Sequence, residues 1–331
     1  MLKAVVIGCG NIGTYAHVPN LRNMPGVELV SVCDVIEERA KSCASKFSIR
    51  NYHTDPYVLL STDDVDLAVI ATPPDTHLEL TEFAVSNGKH VFLEKPLSSN
   101  LVASHRIHEL AHDNPRVKVM PGFCLRFNSM FKHVKELIDS SKIGKPILLW
   151  RANFGKVVGL VPPAPWVPVK SKSGGMLVEN MIHTFDALRW FAGDYDSAYG
   201  EVMTMTPGID IEDNAAAVLR FKSGARATIT QSWTASHSWD SWGVIGTHGF
   251  VSVDGYVSGP MRVSFDGGPQ MNIVIEEDPI LMYRRELEAF VDFIETGRAP
   301  SPNVEDGLKA QEVAVAVQVA LERGVPVKVP P

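Results

Sequence analysis

Three groups of residues in this 331-residue chain combine types and spacings that suit chemistry. The first is Glu94-Lys95-Pro96, which closes the apolar run His90–Leu93. A charged pair at the carboxyl end of a buried strand stands where open α/β sheets bind ligands, and a lysine made less basic by burial can accept a proton near neutral pH. An ordinary surface lysine is the competing reading. The second group is Glu179-Asn180-Met181-Ile182-His183-Thr184-Phe185-Asp186. On a single helix, the i, i+4, i+7 spacing brings Glu179, His183 and Asp186 to one face. An acid-imidazole-acid face suits proton transfer and hydroxyl binding, but also a plain helix face with Asp186 paired to Arg189, or half of a metal site. HExxH is absent and no second His/Cys cluster lies at zinc spacing, so no metal is expected.

The third group is Val5-Val6-Ile7-Gly8-Cys9-Gly10-Asn11-Ile12-Gly13, a GxGxxG placed directly after a strand and at the opening of a helix. Gly8 permits a tight turn, Gly10 lets the backbone approach a pyrophosphate, and Gly13 lets helix pack closely on strand. The diphosphate then meets the N–H groups around Asn11 and Ile12 and the positive end of the helix dipole. Asp34 follows Gly13 by 21 residues, close to the ~20-residue offset of an acid that bonds the adenosine ribose hydroxyls. A carboxylate there repels a 2′-phosphate, which favours NAD over NADP, although Arg39 nearby keeps NADP open. FAD is a less favoured occupant of the same turn.

These groups need elements to position them. The first 120 or so residues alternate short β-rich runs (Lys3–Gly8, Val27–Asp34, Asp66–Ala71, His90–Leu93, Val117–Pro121) with helical stretches (Asn11–Asn23, Ile36–Phe47, Thr76–Asn87, Asn100–His112). That rhythm predicts βαβ units and a parallel sheet. Pro19 predicts a kink or restart in the first helix. Beyond Gly122 the rhythm changes to a helix (Asn128–Ser140) and then strands with turns, including a hairpin at Lys222-Ser223-Gly224, interrupted by a helix at Met181–Phe191. Two amphipathic helices, Ile280–Thr296 and Val304–Arg323, close the chain. The expectation is an α/β protein of two domains: a Rossmann domain over 1–122, and an α+β domain with a mostly antiparallel sheet over 123–331 for substrate binding and oligomerisation. Leu160–Gly175, with Pro162, Pro163, Pro165, Pro168, Trp166, Lys170 and Lys172, reads as a loop suited to covering a site.

Two further segments, Ala71-Thr72-Pro73-Pro74-Asp75-Thr76-His77 and Gly88-Lys89-His90-Val91-Phe92-Leu93-Glu94-Lys95-Pro96-Leu97, combine with the glycine turn into a pattern that strongly resembles the glucose-fructose oxidoreductase/inositol dehydrogenase (Gfo/Idh/MocA) family. The resemblance covers nearly the whole chain, including Ser173-Gly174-Gly175 before the His-bearing helix and Asp306-Gly307 at the opening of the last one. It implies that Lys95 sits at the chemistry, Glu94 near the cofactor, and Thr72, Pro73 and His77 along the cofactor's ribose and diphosphate. It implies a cis peptide before Pro96, and a role for His183 in hydrogen-bonding the oxygen that is oxidised. Relatives carry Asp where Glu179 stands and a small residue where Met181 stands. Arg126 matches a family arginine near the domain junction; with Trp166 and Asp186 it is assigned to substrate, against salt-bridge or packing roles.

The function this implies is reversible oxidation of a secondary alcohol on a sugar, cyclitol or related polyol, with hydride passing to nicotinamide, Lys95 as acid/base, and His183 and Glu179 assisting. Reduction of a nonsugar imine or enone is an alternative, and a ligand sensor that keeps NAD without turnover is another; the presence of both Lys95 and His183 weighs against the sensor. Composition agrees with a folded enzyme: 45% hydrophobic, 21% charged. A net charge of −7 without a dense Lys/Arg run argues against nucleic acid, and no apolar stretch approaches a membrane span. Cys9, Cys33, Cys43 and Cys124 make no CxxC and read as free thiols, and the N-terminus reads as a buried strand rather than a signal, so a cytoplasmic protein is expected. Homodimers or homotetramers through the second-domain sheet are what the resemblance implies.

Overall fold

The computed structural model describes residues 1–62, 64–156 and 164–331. The chain forms two compact units, Met1–Cys124 with Ile280–Leu308, and Leu125–Pro279 with Lys309–Pro331. In the first, β1 (Leu2–Ile7) leads through a π-helical turn (Gly13–His17) into α1 (Val18–Arg22). Then come β2 (Val27–Cys33), α2 (Glu37–Phe47), β3 (Asn51–His53), α3 (Pro56–Leu60), β4 (Leu67–Ile70), α4 (His77–Ser86), β5 (His90–Glu94), α5 (Leu101–Asp113) and β6 (Val119–Gly122). The six strands are all parallel in the order β3-β2-β1-β4-β5-β6, the doubly wound arrangement that binds dinucleotides at the carboxyl ends of its strands. β4 is buried at every position, as helices on both faces of a parallel sheet require. The first helix neither stops nor restarts at Pro19: residues 11–22 stay helical, with Gly13–His17 in π-helical geometry just before the proline.

The second unit contains α6 (Ser129–Asp139), β7 (Pro146–Lys156), α7 (Lys170–Ser173), α8 (Met176–Glu179) and α9 (Ile182–Ala192). It continues with β8 (Tyr195–Met203), β9 (Asn214–Phe221), β10 (Arg226–Ser232), β11 (Thr234–Gly246), β12 (Gly249–Asp254), β13 (Pro260–Phe265) and β14 (Met271–Val274), and β15 (Val327–Lys328) near the terminus. These make a nine-stranded sheet, β14-β13-β12-β11-β7-β10-β9-β8-β15, in which only β7 and β10 run parallel. The expected hairpin joins β9 to β10, with Gly224 at φ +94°. Leu160–Gly175 differs from a plain loop: Lys170–Ser173 is a helical turn, while residues 157–163, including Pro162 and Pro163, lie outside the described residues.

The unit boundary differs from a single cut at residue 122. α10 (Ile280–Thr296) and the opening of α11 (Val304–Arg323) return to the first unit. Phe290 of α10 meets Phe92 of β5 edge-on, with ring centroids 5.8 Å apart. Val304 and Leu308 join the Rossmann core. A Cβ on Gly307 would lie 2.9 Å from the Leu97 side chain, so the Asp306-Gly307 opening reflects close helix packing. Helical periodicity shows that α10 has an apolar stripe but not which core it covers.

Candidate active site

The glycine turn has the division of labour its spacing predicts. Gly8 holds φ +105°, and a Cβ there would lie 2.3 Å from the Ala71 carbonyl oxygen. A Cβ on Gly13 would lie 2.0 Å from the Gly8 carbonyl oxygen, which locks helix against strand. Around Gly10 a Cβ would meet no atom within 4 Å, so the turn keeps an open cradle where a diphosphate would sit. Asn11 is exposed and Ile12 half-buried. Asp34 ends β2 8% exposed, and its carboxylate accepts from the Cys9 N–H and from the Ile36 N–H, both at 2.9 Å. The acid therefore braces the turn that it also flanks.

At the end of β4, the Thr72 and Thr76 hydroxyls lie 2.7 Å apart, and Pro73 is half-buried. His77 is fully buried, with Nδ1 2.9 Å from the Pro96 carbonyl oxygen and Nε2 2.9 Å from that of Thr72. Burial, the largest influence, holds its pKa below the ordinary value against the pull of these carbonyls, so the neutral ring donates to one of them. Both ring nitrogens face protein oxygens, so His77 clamps the ends of β4 and β5 together. The peptide before Pro96 is cis.

Lys95 is half-buried beyond the end of β5. Its main-chain N–H donates to Glu94 Oε2 (3.0 Å), and Glu94 Oε1 lies 2.7 Å from Nε2 of the buried His17. Burial pushes the Glu94 carboxyl up, but the hydrogen bond and charge of His17, then Lys95, outweigh it and hold the group below its ordinary value. Glu286 of α10, 0% exposed, approaches His17 and Glu94 within 4.8 Å. This cluster is absent from the sequence reading. Its signal was an acid at i+4 between Met282 and Phe290 on the buried stripe of α10.

In the second unit, Glu179 and His183 do not share a helix. Glu179 ends α8, the chain breaks at Asn180-Met181, and His183 sits in the first turn of α9. Residues distant in the chain brace this stretch. Gly175 takes φ +88°, and a Cβ there would strike the Glu212 carboxylate and Lys170 Nζ at 2.5 Å. Glu212 accepts from the Leu177 N–H (2.9 Å), while Asn180 Oδ1 accepts from Nε2 of the buried Gln231 (2.6 Å). Glu179 and His183 are half-buried, and Asp186 is fully buried. Arg126 Nε donates to Asp186 Oδ2 (2.9 Å) and Nη2 to Oδ1 (2.6 Å), with side chains 2% and 1% exposed. This bidentate pair ties α9 to the turn Cys124–Phe127, and Arg189, the alternative partner, pairs with Asp194 instead. Arg126 and Asp186 thus hold each other. Trp166 lies half-buried in the turn before α7.

Comparison with known proteins agrees with both units. Residues 2–123 match the pattern described as an oxidoreductase family with an NAD-binding Rossmann fold, and residues 131–252 match the GFO/IDH/MocA C-terminal domain. The chain is 30% identical over 341 residues to scyllo-inositol 2-dehydrogenase (NAD(+)) of Bacillus subtilis (strain 168), covering 99% of this chain and 96% of that one. It is 31% identical over 331 residues to myo-inositol 2-dehydrogenase of Thermotoga maritima, covering 97% and 96%. Among solved structures, a probable dehydrogenase from Thermotoga maritima superposes with a TM-score of 0.84 at 29% identity, over 99% of this chain and 98% of that one. Levoglucosan dehydrogenase in complex with NADH, at 20% identity and TM-score 0.92 over 99% of each chain, shares the fold. With a glycine cradle ready for a dinucleotide, both domain patterns matched and full-length likeness to inositol dehydrogenases, the chain belongs to the Gfo/Idh/MocA family of NAD-binding oxidoreductases.

Proposed function

We propose that this protein oxidises a secondary alcohol of a cyclitol, sugar or similar polyhydroxy compound with NAD, or runs the reverse reaction. The observation that carries the reading is Glu94-Lys95 at the carboxyl end of β5, in a chain that aligns end to end with two inositol dehydrogenases. Bound NAD supplies a two-electron acceptor at nicotinamide C4. Lys95 Nζ, in its uncharged form, takes the hydroxyl proton as hydride leaves the carbinol carbon and the C=O bond forms. His183 hydrogen-bonds that oxygen, Glu179 binds a neighbouring hydroxyl, and Trp166 offers an aromatic face to the ring. Asp34 holds the adenosine ribose hydroxyls, and the N–H groups at Gly10 to Gly13 hold the diphosphate.

Copies of the chain pair through the uncovered face of the nine-stranded sheet in this proposal. Leu148, Val218 and Ile245, 39%, 47% and 40% exposed, stand on that face with Trp150, aligned across β9, β10, β7 and β11. Val218→Lys should then yield a smaller species in light scattering. The four buried free thiols support a cytoplasmic setting; no helix among the described residues is long and apolar enough to cross a membrane. The central test is NADH formation across a panel of inositols and sugars. Turnover of at least one secondary alcohol is expected, and none across the panel, with NAD binding intact, would favour the sensor reading.

A further inference from the structure

Glu286 belongs to no step described above, yet it is fully buried beside the end of β5, and neither of its carboxyl oxygens has a hydrogen-bond partner among the described residues. His17, from the π-helical turn, and Glu94, from the end of β5, place ligand atoms within 4.8 Å of it. Among the described residues, further ionisable groups around the cluster include Lys95, His77, Cys124 after β6, and Tyr283 one turn earlier on α10, whose ring stands edge-on to His17 at 6.3 Å. Glu94 already spends both oxygens, one on His17 and one on the Lys95 N–H. Two carboxylates this close in a dry interior cannot both stay ionised.

We propose that Glu286 is held protonated in the folded protein: it closes the back of the His17–Glu94 pair, so that the cluster keeps a single negative charge, on Glu94, beside the Lys95 main chain. Burial, followed by repulsion from Glu94, drives the Glu286 carboxyl well above its ordinary range, in agreement with that assignment. The effect on Lys95 rests on the reading of Lys95 as the base; the proton on Glu286 does not.

Two measurements separate these parts. An acid whose folded pKa is raised stabilises the fold below its unfolded value of about 4.3 and loses that contribution as pH rises toward its folded value. Glu286→Gln, neutral at every pH, escapes the loss. The folding constant of E286Q relative to the parent should therefore grow by about tenfold per pH unit above ~4.5. In the parent at pH 7, a carboxylic-acid C=O infrared band should be present, and it should vanish in E286Q. A pH-independent stability difference, or no such band, would overturn the proposal. In the kinetic arm, Glu94→Gln removes the charge beside Lys95 and should move the acid limb of the kcat/KM profile to lower pH, whereas E286Q, neutral for neutral, should leave it in place. An equal downward shift in E286Q would mean that Glu286 is ionised and refute the assignment. A limb unmoved by Glu94→Gln, with the stability arm intact, would instead count against Lys95 as the base.

Discussion

Removal of the Asp186 carboxylate tests the buried pair in the second unit. At 2.6 Å and an effective dielectric of about 20, the Arg126–Asp186 attraction is about 6 kcal/mol, set against a desolvation cost of several kcal/mol per ion. The net worth of the pair is thus small, but Asp186→Ala leaves a guanidinium 3% exposed without its counter-charge, facing the Trp190 ring at 5.7 Å. Stranding one buried charge in this way costs about 3–5 kcal/mol. At about 2–4 °C per kcal/mol for a domain of this size, the unfolding midpoint should fall by about 6–20 °C. The assay is denaturant and thermal unfolding of Asp186→Ala beside the double variant Arg126→Met/Asp186→Leu. The double variant, which removes both charges and keeps the volume, should recover most of the loss. A loss below about 1 kcal/mol in the single variant, or no recovery in the double, would refute the reasoning.

Asp34→Ala should weaken NAD binding and narrow the gap to NADP, read by cofactor titration; an unchanged preference would mean that Asp34 does not hold the ribose. The same change frees the Cys9 and Ile36 N–H groups, so a stability loss of about 1–3 kcal/mol should accompany it. Gly10→Ala, with open space for its methyl, should fold like the parent yet bind NADH at least about tenfold more weakly, a cost of ~1.4 kcal/mol, whereas Gly13→Ala should lose stability as well. Against the push of burial, Arg189 and Lys309 hold Asp194 below its ordinary pKa; its contribution is present above about pH 4 and lost as pH falls through the folded value. Asp194→Asn should therefore flatten the acid limb of the stability curve, and an unaltered limb would contradict the pairing.

The parallel sheet was legible because β1, β2, β4 and β5 are apolar runs between turn residues and helical stretches. The tight turn at Gly8 and the close helix packing at Gly13 were legible from their spacing between a strand and a helix. β3, β14 and β15 were not legible: they are short edge or near-edge strands whose residues, such as Asn51-Tyr52-His53, carry no alternating pattern and are fixed by the neighbour they pair with. β8, Tyr195–Met203, was missed for a related reason, since its Asp196, Gly200 and Glu201 dilute the apolar signal. Spacing also overreached at Glu179, because helical periodicity assumes an unbroken helix, whereas α8 ends at Glu179 and α9 begins at Ile182. The partner of Asp186 is likewise hidden from local spacing: Arg189 is three residues away, while Arg126 reaches it across 60 residues. Glu286 shows the complementary lesson, in that one acid on an apolar stripe marks a buried charge only once its neighbours are known.

Lys95→Met gives the most direct test of the central claim, since it removes the amine while keeping an apolar stem of similar length. NADH binding, followed by fluorescence titration, should match the parent, and NAD-dependent oxidation of the best alcohol from the panel should fall by about 100-fold or more. A variant that binds NADH normally and retains near-parent kcat would contradict Lys95 as the acid/base.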